Sequence, residues 1–277
     1  MSSNITRTVL GSALQTVLYT GRDFTLLANT TLNEKLGIQS GVAPASGKVP
    51  TLSVACIGIG GHRFDTGADS QPIVKSVKHD PTDFALYKQI PWVLRLATAD
   101  LSQVERAKYA LRKQITINSA NYIAYYGRRI DVTSPTLELT IETITNGVSS
   151  SASFVPSAAN LNPTPILLDE TGSNAMNGQF VNVNLVTALA LTSADVAEII
   201  NACTVIYGDA NYAYVSELAL VSGVDKNITL ADGATFAELI AAQINAHVGV
   251  LQAMPFATDG WTESLNLGAS EPLLRTV

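Results

Sequence analysis

Charge is scarce in this chain. Only 14% of its 277 residues are Asp, Glu, Lys or Arg, against about 25% in an average soluble domain. Thr, Ser and Asn fill the polar positions instead. The cores of protein interfaces are depleted of Lys, Glu and Asp, so a neutral polar surface suits a protein whose faces are covered by neighbours. The alternative is an ordinary Thr- and Asn-rich β protein. Cations are missing above all from the second half. Residues 130–277 hold only Lys226 and Arg275 against 15 acids, a formal −13, whereas residues 1–129 hold 15 cations against 8 acids, +7. A basic half and an acidic half can dock head to tail on copies of one chain or on neighbours of complementary sign. Chance surface composition is the other reading.

Long apolar runs are absent too. Hydrophobic residues make up 47% of the chain, yet no run approaches the ~18 residues of a membrane span. A stretch such as Val215–Val221 is broken by Ser216 and Glu217. The two cysteines, Cys56 and Cys203, lie far apart in apolar runs. They exclude a disulfide framework and fit buried thiols in a reducing compartment. The opening residues lack the basic flank and apolar core of a secretory signal, so assembly in a cytoplasm is expected.

The usual chemical signatures are missing as well. The three histidines, His62, His79 and His247, show no zinc-binding spacing. No GxSxG surrounds a serine, and no GK[ST] follows a glycine loop. The run Gly58-Ile59-Gly60-Gly61-His62-Arg63 follows a strand as a phosphate loop does. It has Arg63 where the dinucleotide pattern needs glycine, and reads instead as a tight turn using positive φ. Cys56 and His62 are the nearest thing to a nucleophile–base pair, and the intervening strand would separate them. No catalytic, cofactor-binding or metal-ligating residue is expected.

What is present reads as α+β and strand-rich: antiparallel sheets in β-sandwich-like lobes, a few amphipathic helices, and extended terminal arms. Thr16–Thr20 and Phe24–Ala28 flank Gly21-Arg22-Asp23 as a hairpin. Thr51–Ile59 reads as a strand. Ser102 and Glu105 open a helix over Asp100–Lys113, with Val104, Ala107 and Leu111 inward. Gln114–Asn118 and Tyr122–Asp131 read as strands. Leu137–Thr145 alternates and precedes Asn146-Gly147, a strong hairpin signal, with Val148–Phe154 as partner. Phe180–Leu191, Cys203–Tyr207 and Tyr212–Val221 read as strands. Thr192 and Asp195 cap a helix over Thr192–Ala202, and Thr235 and Glu238 cap one over Thr235–Val248 that places His247 on or beside its inner face. Val155–Pro165 is the linker candidate. It divides the chain into a basic lobe at 1–155, a linker at 156–165 and an acidic lobe at 166–277. Phe84, Trp92, Val93 and Leu94 are the core candidates, in the dense segment Phe84–Leu96. Arg106, Lys108, Arg112, Lys113, Arg128 and Arg129 are the subunit-interface candidates. Nucleic acid is the alternative partner for that set, disfavoured by the acidic net charge of −6.

The block DPTDFALYKQIPWVLR (residues 80–95), with Gly58–Arg63 upstream and DLSQVERAKYALR and YIAYYGRRID downstream, resembles structural proteins of contractile-tailed bacteriophages. The resemblance covers roughly residues 58–132, and Tyr212–Val221 adds weaker support. It implies a non-enzymatic virion subunit, present in multiple copies and contacting itself and other tail proteins, with no cofactor, no membrane and no small-molecule substrate. A baseplate wedge position is expected first, a neck, collar or decoration position second. The competing class is a module that binds a host surface or glycan. The tryptophans, Trp92 and Trp261, do not favour it, because one lies in a dense apolar run and the other near the tail.

Overall fold

The computed structural model describes residues 4–24, 30–38, 47–67, 70, 72–145, 148–159, 161, 178–224, 226–229, 235–238, 242–252 and 261–272. It is strand-rich, with several antiparallel sheets and few helices. The chain divides into two units. The first comprises Met1–Ile130 and Ala190–Trp261, the second Asp131–Leu189 and Thr262–Val277. The expected division near Val155–Pro165 differs from this one, since that segment falls within the range of the second unit.

In chain order the strands are β1 Asn4–Arg7, β2 Thr51–Gly58, β3 His62–Thr66, β4 Pro72–Ser76, β5 Gln89–Ile90, β6 Val93–Leu96, β7 Arg112–Ile117, β8 Ala120–Tyr125 and β9 Arg128–Arg129. They continue as β10 Leu137–Thr145, β11 Val148–Ser153, β12 Gly178–Leu191, β13 Tyr214–Gly223, β14 Lys226–Thr229, β15 Thr235–Glu238, β16 Ala242–Gln252 and β17 Trp261–Pro272. The helices are α1 Val9–Thr20, α2 Leu32–Lys35, α3 Gln103–Arg106 and α4 Ser193–Tyr207.

The main sheet of the first unit runs β1-β16-β13-β2-β5, with β9 also pairing with β2. β13 lies between β16 and β2, antiparallel to both. That central position explains why its sequence is apolar nearly throughout: a strand with neighbours on both edges and cover on both faces has few positions for water. A second sheet, β6-β8-β7, carries the segment after Trp92. Leu32, Val54, Cys56, Leu86, Leu94, Leu111, Ala124, Ala202, Ala219 and Val221 form one buried cluster, with Phe84 half-buried against it. Trp92, Val93 and Leu94 are 2%, 4% and 2% exposed, and the Trp92 indole N–H donates to the Ala55 carbonyl at 3.0 Å. The second unit holds the sheet β11-β10-β12-β17. Its β10–β11 pairing, Thr145 opposite Val148, has the register a two-residue Asn-Gly connection sets.

Several local expectations are corrected. Thr16–Thr20 is the end of helix α1, which Thr8 caps and Gly21 terminates at φ 65°. A left-handed residue closes a helix as readily as it closes a hairpin, and glycine reaches it without strain. The helix expected over Asp100–Lys113 is the four-residue α3. Val104, expected inward, is 79% exposed, and from Arg112 the chain pairs with β8. Strand partners outweigh helix propensity there. Cys203–Tyr207 belongs to α4, which continues to Gly208 at φ 79°. Thr235–Val248 is not a helix: Thr235–Glu238 pairs with β14, and β16 runs between β1 and β13. Pairing on both edges outweighs its Ala-rich helix propensity there. Near the chain ends the described residues are extended strands that pair within the chain. β1 pairs with β16, and β17 lies beside β12.

Candidate functional site

Two adjacent polar residues of β13 define the site. Ser216 and Glu217 are both 0% exposed. A buried carboxylate is strongly unfavourable unless hydrogen bonds and an opposite charge surround it. Glu217 has both. One oxygen, Oε2, accepts from the backbone N–H of Gly60 at 2.6 Å and of Lys88 at 3.3 Å. The other, Oε1, accepts from the N–H of Tyr87 at 2.8 Å and lies 2.9 Å from His79 Nε2.

This carboxylate explains the glycine run. A Cβ on Gly58 would come within 2.5 Å of Glu217 Oε2, and one on Gly60 within 2.6 Å of the Tyr87 Cβ and 2.9 Å of the same oxygen. Neither glycine has positive φ, so the expectation of a left-handed turn is corrected: these glycines serve close approach. Backbone N–H groups do converge on an anion, as a phosphate loop's would, and the anion is the protein's own glutamate.

His79 carries the network onward. Its side chain is fully buried, and its Nδ1 lies 3.1 Å from Asp83 Oδ2. The same oxygen accepts from the Asp80 N–H and the Tyr87 hydroxyl, both at 2.8 Å. The Tyr87 ring stacks on the imidazole, 4.3 Å between centroids and 15° between planes. Burial alone would push the His79 pKa down, but Glu217 and then Asp83 raise it above the ordinary 6.5. Burial would likewise raise the Glu217 pKa, but His79 and three backbone N–H groups hold it below the ordinary 4.5.

These shifts fix a pH dependence. Glu217 has a depressed folded pKa, so its contribution is complete above about pH 4.5 and is lost as pH falls through the folded value. His79 has a raised one, so its contribution is complete below about pH 6.5 and is lost as pH rises through the folded value. The pair therefore stabilises most between these limits. In denaturant unfolding, the stability gap between wild type and His79→Ala is expected to peak in that window and shrink on the alkaline side. A gap independent of pH contradicts the ion pair.

Beside the carboxylate, Ser216 Oγ accepts from the Gly61 N–H at 3.1 Å and lies 2.7 Å from His62 Nδ1. The structure thus pairs His62 with Ser216, not with Cys56. Cys56 and Cys203 are buried and free, and burial pushes each thiol up to about 12, away from nucleophilic use. Among the described residues no group of three His, Cys, Asp or Glu side chains could hold a metal ion. In the Asp83–His79–Glu217 row the imidazole stands between the carboxylates.

A cavity of about 540 Å³ opens over this network. Ile59, Gly60 and the rings of His62, Phe64, Tyr212 and Tyr214 line it, and Lys88, Asp209 and Asn211 supply its polar groups. All belong to the first unit.

The basic set is placed differently from a helix face. Arg106 and Arg112 both reach Asp100, at 3.2 and 2.6 Å, and Asp100 also accepts from the Tyr125 hydroxyl at 2.8 Å. Arg128 pairs with Asp195 at 3.1 Å. Lys113 donates to the Leu36 carbonyl. Arg129 is half-buried on β9, and Lys108 is exposed. Three of the six arginine and lysine charges thus face carboxylates of the same chain. His247 lies on β16 with its backbone opposite Glu217, so its expected helical position is also corrected.

Sequence reasoning missed Glu217 and Ser216 as a site, although both stood out as polar breaks in an apolar run. Among the described residues no helix is long and apolar enough to cross a membrane. No curated protein and no solved structure matches the chain. A family model described as a family of unknown function, DUF7208, matches residues 1–277. Matched along its whole length, the chain belongs to the DUF7208 family.

Proposed function

We propose that this chain is a non-enzymatic structural subunit of a tailed-phage virion, assembled in multiple copies in the tail, with a baseplate wedge as first location and neck, collar or decoration as second. The observation that carries the reading is helix α1. It has no charged residue, and of its twelve residues only Leu14 is buried. Val9, Leu18 and Tyr19 are 56%, 54% and 92% exposed. A solvated helix normally presents charge on its outer face, whereas uncharged aromatic and aliphatic surface is what the core of a protein interface uses. The scarcity of charge along the chain and the resemblance of residues 58–132 to phage tail proteins support the same reading.

The proposed contact is α1, and the basic set, with Arg106, Arg112 and Arg128 in ion pairs within the chain, is the second candidate surface. The double variant Leu18→Lys, Tyr19→Lys changes exposed positions in the last turn of α1, where cations suit the helix dipole, so it is expected to fold with wild-type stability within about 0.5 kcal/mol. It is also expected to drop out of purified particles when it replaces the wild-type protein. Normal incorporation of the folded variant contradicts the contact.

A further inference from the structure

We propose that the cavity over the Glu217 network is a binding site for a neutral saccharide, one or two pyranose rings in size. This goes beyond the subunit reading and does not rest on it. Small-molecule sites are mostly pre-formed concavities of roughly 300–1,000 Å³ that combine apolar and aromatic walls with a few fixed polar groups. The volume of about 540 Å³ falls in that range.

The aromatic wall is exposed and fixed. Phe64 and Tyr212 are 63% and 47% exposed, far more than core rings. The His62 and Phe64 rings meet edge to face at 5.3 Å, and Phe64 and Tyr214 at 6.4 Å. Lys88 Nζ stands 4.3 Å from the Tyr207 ring and 5.2 Å from the Tyr212 ring. Three lining residues are tied to β13: the Gly60 and Lys88 N–H groups both bond to Glu217, and His62 lies against Ser216. A rigid wall of this kind binds with little loss of conformational freedom.

The polar groups select the ligand class. Asp209 and Asn211 are exposed at the cavity, and Asp209 Oδ1 accepts from the Asn211 N–H at 2.8 Å. A carboxylate accepts hydrogen bonds from hydroxyls, an amide both donates and accepts, and the Lys88 ammonium donates. A pyranose presents hydroxyls on its rim and C–H groups on its faces, so it uses the carboxylate, the amide and the rings together. A phosphate-bearing ligand would meet one ammonium and the repelling carboxylate of Asp209. A purely apolar ligand would leave Lys88, Asp209 and Asn211 desolvated without partners.

The test is saturation-transfer-difference NMR and calorimetry on the full chain. The probes are methyl glycosides of glucose, galactose, mannose and N-acetylglucosamine, with maltose, lactose and chitobiose as disaccharides and AMP as the charged comparison. At least one of the sugars is expected to bind. Tyr212→Ala and Asp209→Asn are each expected to weaken it about tenfold or more, while Thr116→Ala, on another sheet, leaves it unchanged. Both variants alter exposed side chains, and circular dichroism verifies that they fold. Failure of every sugar to bind at tens of millimolar overturns the proposal, as does binding of AMP alone or sugar binding that neither variant weakens. Particle incorporation is read separately, so loss of one proposal leaves the other standing.

Discussion

Glu217→Ala is expected to destabilise the protein by about 3–5 kcal/mol, the magnitude for removing one partner of a buried ion pair. The substitution leaves the N–H groups of Gly60, Tyr87 and Lys88 without their acceptor and His79 without its counter-charge. Because the side chain is 0% exposed, water does not readily replace what is lost. Glu217→Gln separates the contributions. Its amide oxygen still accepts from one side of the cradle, but its NH₂ faces donors on the other, so a smaller loss is expected than for alanine. Denaturant unfolding measures both, read as a change of midpoint at constant slope. An alanine variant as stable as wild type contradicts the role assigned to this carboxylate.

Trp92→Ala is expected to lower stability by roughly 3–5 kcal/mol, the usual range for emptying a buried aromatic site. The indole is 2% exposed, its N–H bonds the Ala55 carbonyl at 3.0 Å, and the Arg128 guanidinium lies 5.7 Å from its ring. Truncation therefore opens a cavity, leaves a carbonyl of β2 without this donor, and removes the surface on which Arg128 rests. Trp92→Phe keeps part of the ring volume and loses the hydrogen bond, so it is expected to fall between. A loss below about 1 kcal/mol for the alanine variant, in the same unfolding assay, indicates a tolerant surface position and contradicts the core assignment.

Short-range features of the fold were legible in the sequence, and those set by distant partners were not. The β10–β11 hairpin follows from alternation and one Asn-Gly pair. Capping boxes at Ser102 with Glu105 and at Thr192 with Asp195 both form as read. A capping box marks where a helix can begin and carries no information about where it ends. The first opens a helix of four residues and the second one of fifteen, because strand β8 waits for the residues after the first and Gly208 stops the second. The Thr235–Glu238 spacing matches the same box on a segment that pairs as β15.

The site shows the same division. Ser216 and Glu217 were visible as polar breaks, and the Gly58–Gly61 run as a demand for backbone freedom. That each explains the other required the pairing that sets Glu217 opposite Gly58 and brings Tyr87 and Lys88 to the same carboxylate, 130 and 129 positions away. No local spacing encodes such a meeting. The ion pairs of the basic set were hidden for the complementary reason. Arg112 is twelve positions from Asp100, and a helix would have kept them apart, whereas the sheet folds them together.

The functional account is tested most directly by quantitative mass spectrometry of purified phage particles, combined with cryo-electron microscopy to locate the protein and count its copies. The account predicts a fixed multiple-copy stoichiometry in the tail, with the α1 surface buried against a neighbouring subunit. Absence of the protein from purified particles of a phage that expresses it would contradict the account.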